Sequence, residues 1–343
     1  MAKEKKNPED VEENRTVDVL RQIRSEKGSE AYGIQMLEAT MVESVPRSPT
    51  GVFSVDLATG GGYPLGRIIE IFGNESSGKT TLTLHGISEV QKRGNIAAFI
   101  DLEHAYNPAY GKALGVDPAK LLFSQPDSAE VALNLADHLC DYLKSGDMIV
   151  IDSVAALVPE AELNGEMGDS HMGLQARLMG QALRMLTHKI SASNIVVIFI
   201  NQLRQKIGVV YGNPDTTTGG NALKFYASLR LEVKSGTKLK GKNEKDPPVG
   251  QVTHIKVVKN KVSMPFKNTD VDLYYGWGFL PAADVFLAGK SSGVIEASGS
   301  WYSYKENRIG QGEVQAKEFL SQNPEIQEEI KKSILEKLGG SYC

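Results

Sequence analysis

Gly73-Asn74-Glu75-Ser76-Ser77-Gly78-Lys79-Thr80 is the stretch on which the reading of this chain turns. It follows the apolar, β-prone run Arg67-Ile71 and leads into a helical pattern that begins at Thr81. The form G-x-x-x-x-G-K-[ST] therefore stands in the strand, loop and helix setting that its chemistry needs. The glycines let backbone N–H groups curl around phosphate oxygens at a helix N-terminus, where unpaired amides and the helix dipole favour an anion. Lys79 neutralises β- and γ-phosphates, and Thr80 offers its hydroxyl to Mg²⁺. The expected contacts to a nucleotide are thus Gly73, Asn74, Glu75, Ser76, Ser77, Gly78, Lys79, Thr80 and Thr81.

Working outward, Ile96-Ile100, Met148-Ile151, Ile195-Ile200, Leu229-Val233 and His254-Val258 repeat the pattern of short apolar runs separated by helical stretches. Such runs are strands buried on both faces, and their alternation with helices predicts an α/β fold with a mostly parallel central sheet. The later strands, joined by the Gly-, Lys- and Pro-bearing segment Gly236 to Gly250, read as antiparallel neighbours. After Pro281 come Gly293-Val294-Ile295, the aromatic cluster Trp301-Tyr302-Ser303-Tyr304 and one helical stretch from Glu313 to Leu338, which together predict a small α+β C-terminal domain. Before the core, a lysine-rich run, Lys3 to Lys6, precedes a short amphipathic helix with Val17, Leu20 and Ile23 on one side. That stripe is too small to be buried alone and has to dock on the main domain or on a neighbouring copy. The expected divisions are 1–41 for assembly, 42–281 for the core and 282–343 for the C-terminal domain.

Three polar residues at strand ends carry the expected chemistry. Asp152 ends Met148-Ile151 where a carboxylate supports a metal ion, so Thr80 and Asp152 form the expected metal pair. Glu103 follows Ile96-Ile100 at the carboxyl edge of the sheet and can orient an attacking water. Gln202 follows Ile195-Ile200 at the same edge, at the root of a stretch without core pattern from Arg204 to Asn221, and is expected to sense a γ-phosphate.

Projected at about 100° per residue, Gly173 to Ile190 places Leu178, Met179, Ala182, Leu183, Met185, Leu186 and Ile190 on one face and Arg177, Gly180 and Arg184 opposite. Together with the Gly-bearing segment Glu160 to Met172 and with Arg204 and Lys206, this makes a local basic groove suited to the backbone of a single nucleic acid strand. Bulk charge would not suggest it, because the 343 residues carry a net charge of -4. With 41% hydrophobic and 23% charged residues the composition is that of a soluble globular protein. No membrane span or apolar leader is evident, so a cytoplasmic protein without membrane partners is expected. Cys140 and Cys343 give neither a disulfide framework nor a metal spacing.

These residues resemble the bacterial RecA recombinases. The resemblance is carried by Gly73 to Thr80, by Phe99-Ile100-Asp101-Leu102-Glu103-His104-Ala105, by Val150 to Leu157 and by Gly168-Asp169-Ser170-His171-Met172-Gly173-Leu174. Ile198 to Gln202, Thr216 to Ala227 and Val257-Val258-Lys259-Asn260-Lys261 extend it, and it runs from about Gly51 to Leu338. It implies a RecA-type phosphate-loop ATPase core, with ATP and Mg²⁺ as cofactors and single-stranded and double-stranded DNA as partners. The implied activity is DNA-stimulated ATP hydrolysis in a helical filament that pairs and exchanges homologous strands, in DNA repair and the SOS response. A LexA-type repressor and mediator proteins join the partners to be tested.

Residue by residue, the resemblance implies that Glu103 is the catalytic carboxylate and that Gln202 links the γ-phosphate to the second DNA loop. Asn107, Tyr110 and Tyr275 lie near the adenine, and Lys259 and Lys261 reach the γ-phosphate of the neighbouring subunit. Met172, Gly180, Arg184, Gln205, Ile207, Gly219, Gly220 and Asn221 lie along the DNA. Asn74 replaces a proline common in the family's phosphate loop, and Asn107 an aspartate common near the adenine. Ala297 and Glu313 stand where some members carry lysines that attract duplex DNA, and the chain ends at Cys343 without the acidic tail of many members. Two other readings share these residues: a hexameric DNA helicase-like motor on the same core, and a filament scaffold that uses ATP only as a structural ligand.

Overall fold

Arg67 to Gly73, the strand that feeds the phosphate loop, lies in the middle of a 10-stranded sheet, flanked on both sides by strands parallel to it. The computed structural model describes residues 8–27, 34, 45–166, 173–205, 215–241 and 245–339. Its contacts divide the chain after Ser44. In the first unit, helix α1 (Pro8–Ser25) forms as its periodicity requires, with Val17, Leu20 and Ile23 half-buried. The Lys3 to Lys6 run lies outside the described residues.

In the second unit, a two-strand ladder of β1 (Arg47–Ser48) and β2 (Tyr63–Pro64) encloses helix α2 (Phe53–Thr59). Then follow β3 (Arg67–Gly73), α3 (Lys79–Lys92), β4 (Ala97–Asp101), α4 (Pro108–Ala113), β5 (Leu121–Ser124), α5 (Ala129–Tyr142) and β6 (Met148–Asp152). Next come α6 (Glu160–Leu163), α7 (Leu174–Ser193), β7 (Val196–Gln205), β8 (Asp215–Thr217), α8 (Ala222–Tyr226), β9 (Leu229–Leu239) and β10 (Gly250–Asn260). The core closes with β11 (Asn268–Tyr274) and β12 (Gly278–Phe279). Helix α9 (Pro281–Ser292) then leads to a three-stranded antiparallel sheet, β13 (Ile295–Ser298), β14 (Trp301–Tyr304) and β15 (Asn307–Gln311), and to helices α10 (Glu313–Gln322) and α11 (Pro324–Lys337).

The strand order is β12-β11-β10-β9-β3-β7-β6-β4-β5, with β8 folded back on β7. The six strands from β9 to β5 are parallel, and β10 to β12 are the antiparallel extension. Period-two alternation divides the apolar runs between two cores. Ile69, Ile71, Met148, Val150, Val196 and Ile198 pack with Leu82, Leu84 and Ile87 of α3 on one face. On the other, Ile68, Ile149, Ile151, Val197 and Phe199 pack with Leu133 of α5 and with Met179, Leu183 and Leu186 of α7. A third core gathers Phe53 with Phe286, Ile309, Leu320 and Ile330 of the C-terminal elements.

The structure corrects five expectations. Strands β5, β11 and β12 went unread, because they are short or carry charges at alternate positions. The segment Gly236 to Gly250 starts as strand, since β9 runs on to Leu239. The C-terminal helix breaks at Asn323, which Pro324 forces to φ -128 and ψ 74, out of the helical region. Met185 is 55% exposed, since it falls about 120° round α7 from Met179 at about 100° per residue. The stretch from Arg204 to Asn221 is pinned at both ends: Leu203, Arg204 and Gln205 pair with Thr217, Thr216 and Asp215.

Candidate functional site

The phosphate loop is built by close approach. Gly73 ends β3 so near β9 that a Cβ there would lie 2.0 Å from the Val233 carbonyl oxygen. Lys79 opens α3, and its Nζ donates to the Asn74 carbonyl at 2.7 Å. Burial pulls this ammonium below the usual lysine range, against the pull of Asp152, Glu103 and Glu75. Ser77 Oγ is buried without a hydrogen-bond partner, an orphaned donor that a phosphate oxygen would satisfy. Thr80 Oγ1 donates to Asp152 Oδ2 at 2.7 Å. Burial, together with Glu103 and Asp101, pushes the Asp152 carboxyl up to about 7, although the Thr80 hydroxyl acts the other way. A hydroxyl and a buried carboxylate, with the remaining ligands left to phosphates and water, suit Mg²⁺ better than a cage of protein ligands. Among the described residues no His, Cys, Asp and Glu cluster of the latter kind is found.

A cavity of about 370 Å³ continues from this loop, lined by Ser76 to Thr81 with Tyr110, Leu273, Tyr275 and Gly276. Tyr110 is fixed by a 2.9 Å bond between its hydroxyl and Thr81 Oγ1. Asn107 does not line this cavity: its Oδ1 accepts from the amides of Ala109 and Tyr110 and caps α4, so it acts on the tyrosine's helix. Tyr275 is held by a residue the sequence reading missed. Gln251, buried in β10, donates through Nε2 to the Ser76 carbonyl at 3.0 Å and accepts from the Tyr275 hydroxyl at 3.3 Å. One side chain thus joins the phosphate loop to the opposite cavity wall.

The strand-end residues meet. Gln202, in register with Gly73 across β3 and β7, donates through Nε2 to Glu103 Oε1 at 2.7 Å. The buried Ser153 hydroxyl donates to the same oxygen. Asn201, also missed, is fully buried beside Gln202. It donates to Glu70 Oε1 at 3.0 Å and accepts from Thr218 Oγ1 at 2.6 Å, tying the end of the second loop to the centre of the sheet. The available signal was a polar residue directly at the end of an apolar run, beside Gln202.

Val154, next to Ser153, touches both expected DNA segments. Its carbonyl accepts from Gln175 Nε2 of α7 at 2.9 Å. A Cβ on Gly219 would lie 2.7 Å from its side chain. Gly219 is therefore a packed position, while Gly220 and Asn221 are exposed. Arg177, Arg184 and Arg204 are exposed, whereas Gly180 is half-buried and faces Ala222 of α8. Met172, Lys206 and Ile207 lie outside the described residues, and Gln205 is described only as the end of β7.

Lys259 and Lys261 end up far from Lys79 of their own chain. Lys259 Nζ donates to the carbonyls of Lys224 and Phe225 at 2.7 and 3.0 Å, and Lys261 Nζ to that of Phe225 at 3.1 Å, covering the C-terminus of α8. Asn260 pairs with Leu229, which pairs with Ile69. The lysines thus sit at the amino end of β3 while the phosphate loop leaves its carboxyl end.

A parallel sheet with a phosphate loop at its centre, a hydrogen-bonded Thr80–Asp152 pair and a carboxylate held by a glutamine at the sheet edge define a phosphate-loop ATPase core. The family model for the RecA N-terminal domain matches residues 16–280, and that for the RecA C-terminal domain matches residues 283–339. The chain belongs to the RecA family. It is 53% identical over 322 residues to "Protein RecA" of Francisella tularensis subsp. novicida (strain U112), covering 93% of this chain and 88% of that one. The figures are the same for the protein of that name from Francisella tularensis subsp. tularensis (strain SCHU S4 / Schu 4). The crystal structure of the RadB recombinase shares the fold, with a TM-score of 0.51 at 20% identity over 67% of this chain and 97% of that one. The family's work is ATP-dependent homologous recombination and repair, through DNA binding and self-assembly. No described helix is long and apolar enough to cross a membrane.

Proposed function

We propose that this protein binds ATP with Mg²⁺ at Gly73 to Thr81 and, in that state, assembles as a helical filament on single-stranded DNA that captures a homologous duplex and exchanges strands. The carrying observation is the contact chain Gln202, Glu103, Ser153, Val154, which starts in register with Gly73 of the phosphate loop and ends on Gln175 and Gly219 at the roots of both expected DNA segments. Glu103, with Oε1 engaged by Gln202 and Ser153, presents Oε2 to orient and deprotonate a water. Lys79 and the orphaned Ser77 hydroxyl hold phosphate oxygens, Tyr110 and Tyr275 the base end, and Thr80 and Asp152 the metal ion. Bound Mg²⁺ supplies charge neutralisation at the β- and γ-phosphates. Gln202 reports the occupancy of the γ-position to β7 and, through Asn201 and Thr218, to the second DNA segment.

Self-assembly is supported by β5, an edge strand with Leu122 48% and Phe123 44% exposed, a hydrophobic edge that invites a further strand. Lys259 and Lys261 then act on the neighbour's nucleotide, and each C-terminal domain stays on its own core. Repressor and mediator proteins bind the assembled form. The test is electron microscopy of the full chain with single-stranded DNA and a non-hydrolysable ATP analogue, beside an ATPase assay of the same chain with ATP and DNA. Filaments and DNA-stimulated hydrolysis in the parent, both lost in Lys79→Ala, are expected. Unwinding without a coating stoichiometry would instead mark a hexameric motor.

A further inference from the structure

Helix α3 does more than start at the phosphate loop. One and a half turns on, its His85 accepts a hydrogen bond at Nε2 from the backbone amide of Phe279, at 3.0 Å. An amide can only donate, so Nε2 carries no proton and the ring is neutral with its hydrogen on Nδ1. Burial, with Lys92 nearby, lowers the ring's pKa to about 4 against the pull of Glu89.

Phe279 lies in β12, which directly follows the turn Tyr275-Gly276-Trp277, and that turn supplies Tyr275 and Gly276 to the nucleotide cavity. The turn is pressed onto the helix. Gly278 has φ +71, and a Cβ on it would lie 2.5 Å from His85 Nε2 and 2.4 Å from Leu114 Cδ2. The Phe279 ring stands 5.6 Å from the His85 ring, and its tip is 3.6 Å from where a Cβ on Gly78 would lie. One end of the cavity wall is thus held to the phosphate loop by Gln251, and the other is held to the phosphate-loop helix by His85.

We propose that His85 is a positioning residue for the base end of the nucleotide: by accepting from the Phe279 amide it sets the distance between the Tyr275–Gly276 wall and the phosphate loop, and so sets the affinity for ATP but not the rate of phosphate chemistry. This rests on reading the cavity as the ATP site. The inference is specific about chemistry. Any side chain that presents an acceptor where Nε2 now lies should serve, and an apolar ring of the same size should not, because it leaves the amide of Phe279 unpaired.

The experiment compares the parent protein with His85→Phe, His85→Gln and Gly278→Ala, all as full chains on saturating single-stranded DNA. The readouts are KM and kcat for ATP and the emission of Trp277 in a Trp301→Phe background. These are the chain's two tryptophans, and Trp277 sits in the turn itself, 67% exposed. His85→Phe should raise KM about tenfold while kcat changes by less than about twofold, and should shift the Trp277 emission. His85→Gln, whose amide oxygen can take the place of Nε2, should restore both. Gly278→Ala, which forces a methyl group against His85 Nε2 and Leu114 while leaving the histidine itself in place, should reproduce the KM effect even if His85→Phe does not fold.

An unchanged KM in both His85→Phe and Gly278→Ala would overturn the proposal. A loss in kcat alone would do the same, as would a His85→Gln protein no better than His85→Phe. Direct ATP binding to the parent and to Lys79→Ala is measured alongside. Persistent binding in Lys79→Ala would fault the reading of the cavity, whatever His85 does.

Discussion

Gln202 Nε2 donates to Glu103 Oε1 at 2.7 Å although the two residues are 99 positions apart. The contact joins a carboxylate whose charge acts on Lys79 of the phosphate loop to the strand from which the expected second DNA segment departs. If Glu103 orients the water, Glu103→Gln should keep ATP affinity and lose turnover by about 10² to 10⁴. Gln202→Leu should retain binding too, but uncouple hydrolysis from DNA. The ATPase rates of the three proteins with and without single-stranded DNA, set beside their ATP dissociation constants, check both expectations. Normal turnover in Glu103→Gln would remove that residue from the chemistry.

Lys259 and Lys261 should act between subunits. By register Asn260 between them lies level with Ile69, about 13 Å short of Gly73 at about 3.3 Å per residue and two strands to the side, and both amines are engaged on carbonyls of α8, out of reach of their own phosphate loop. Mixing parent protein with the Lys259→Ala, Lys261→Ala double variant on saturating DNA should give ATPase activity below the linear mixing line. Mixing the double variant with Glu103→Gln should restore part of it, because some interfaces then combine intact lysines with an intact carboxylate. A linear curve without recovery would show that the lysines do not complete a shared site.

Arg184 is exposed on the side of α7 opposite Met179 and Leu183. Arg184→Ala should weaken single-stranded DNA binding about equally across sequences and reduce the slope of log affinity against log salt by about 1, since a phosphate contact releases counterions without reading bases. Thermal stability should be unchanged. A midpoint that falls together with affinity would assign the residue to the fold.

Asp56 gives a pH-dependent test of the core. Its Oδ1 accepts from the amide and hydroxyl of Thr50, both at 2.8 Å, yet burial pushes its carboxyl from 3.8 up to about 7, with Asp284 and Glu89 adding to the shift. Between about pH 4 and 7 the folded chain therefore keeps a proton that the unfolded chain has released, and stability falls as pH rises through that window. Asn cannot ionise and keeps the oxygen that Thr50 uses. The melting temperature of Asp56→Asn should therefore pull ahead of the parent's between pH 4 and 7, by up to about 1.4 kcal/mol in stability per pH unit, and the gap should then stay constant. Asp284 is present in both proteins and cancels. A gap that does not change with pH would show that Asp56 ionises normally.

The sequence by itself determined whatever depends on contiguous residues. Gly73 to Thr80 announces phosphate binding because strand end, loop and helix start are consecutive, and backbone amides do the binding. The runs Met148-Ile151 and Ile195-Ile200 announce a sheet covered on both faces because every position in them is apolar. Asp152, Glu103 and Gln202 could be picked out because each lies within three residues of the end of an apolar run. Tertiary structure alone decided which of these residues touch, since strand order and register are set by hydrogen bonds between segments a hundred positions apart. It brought Gln202 onto Glu103, packed Gly219 against Val154 where a free loop was expected, and sent Lys259 and Lys261 to the far end of the sheet. It also gave work to His85, Asn201 and Gln251. Their roles rest on partners distant in the chain, and no local pattern of hydrophobicity encodes a partner.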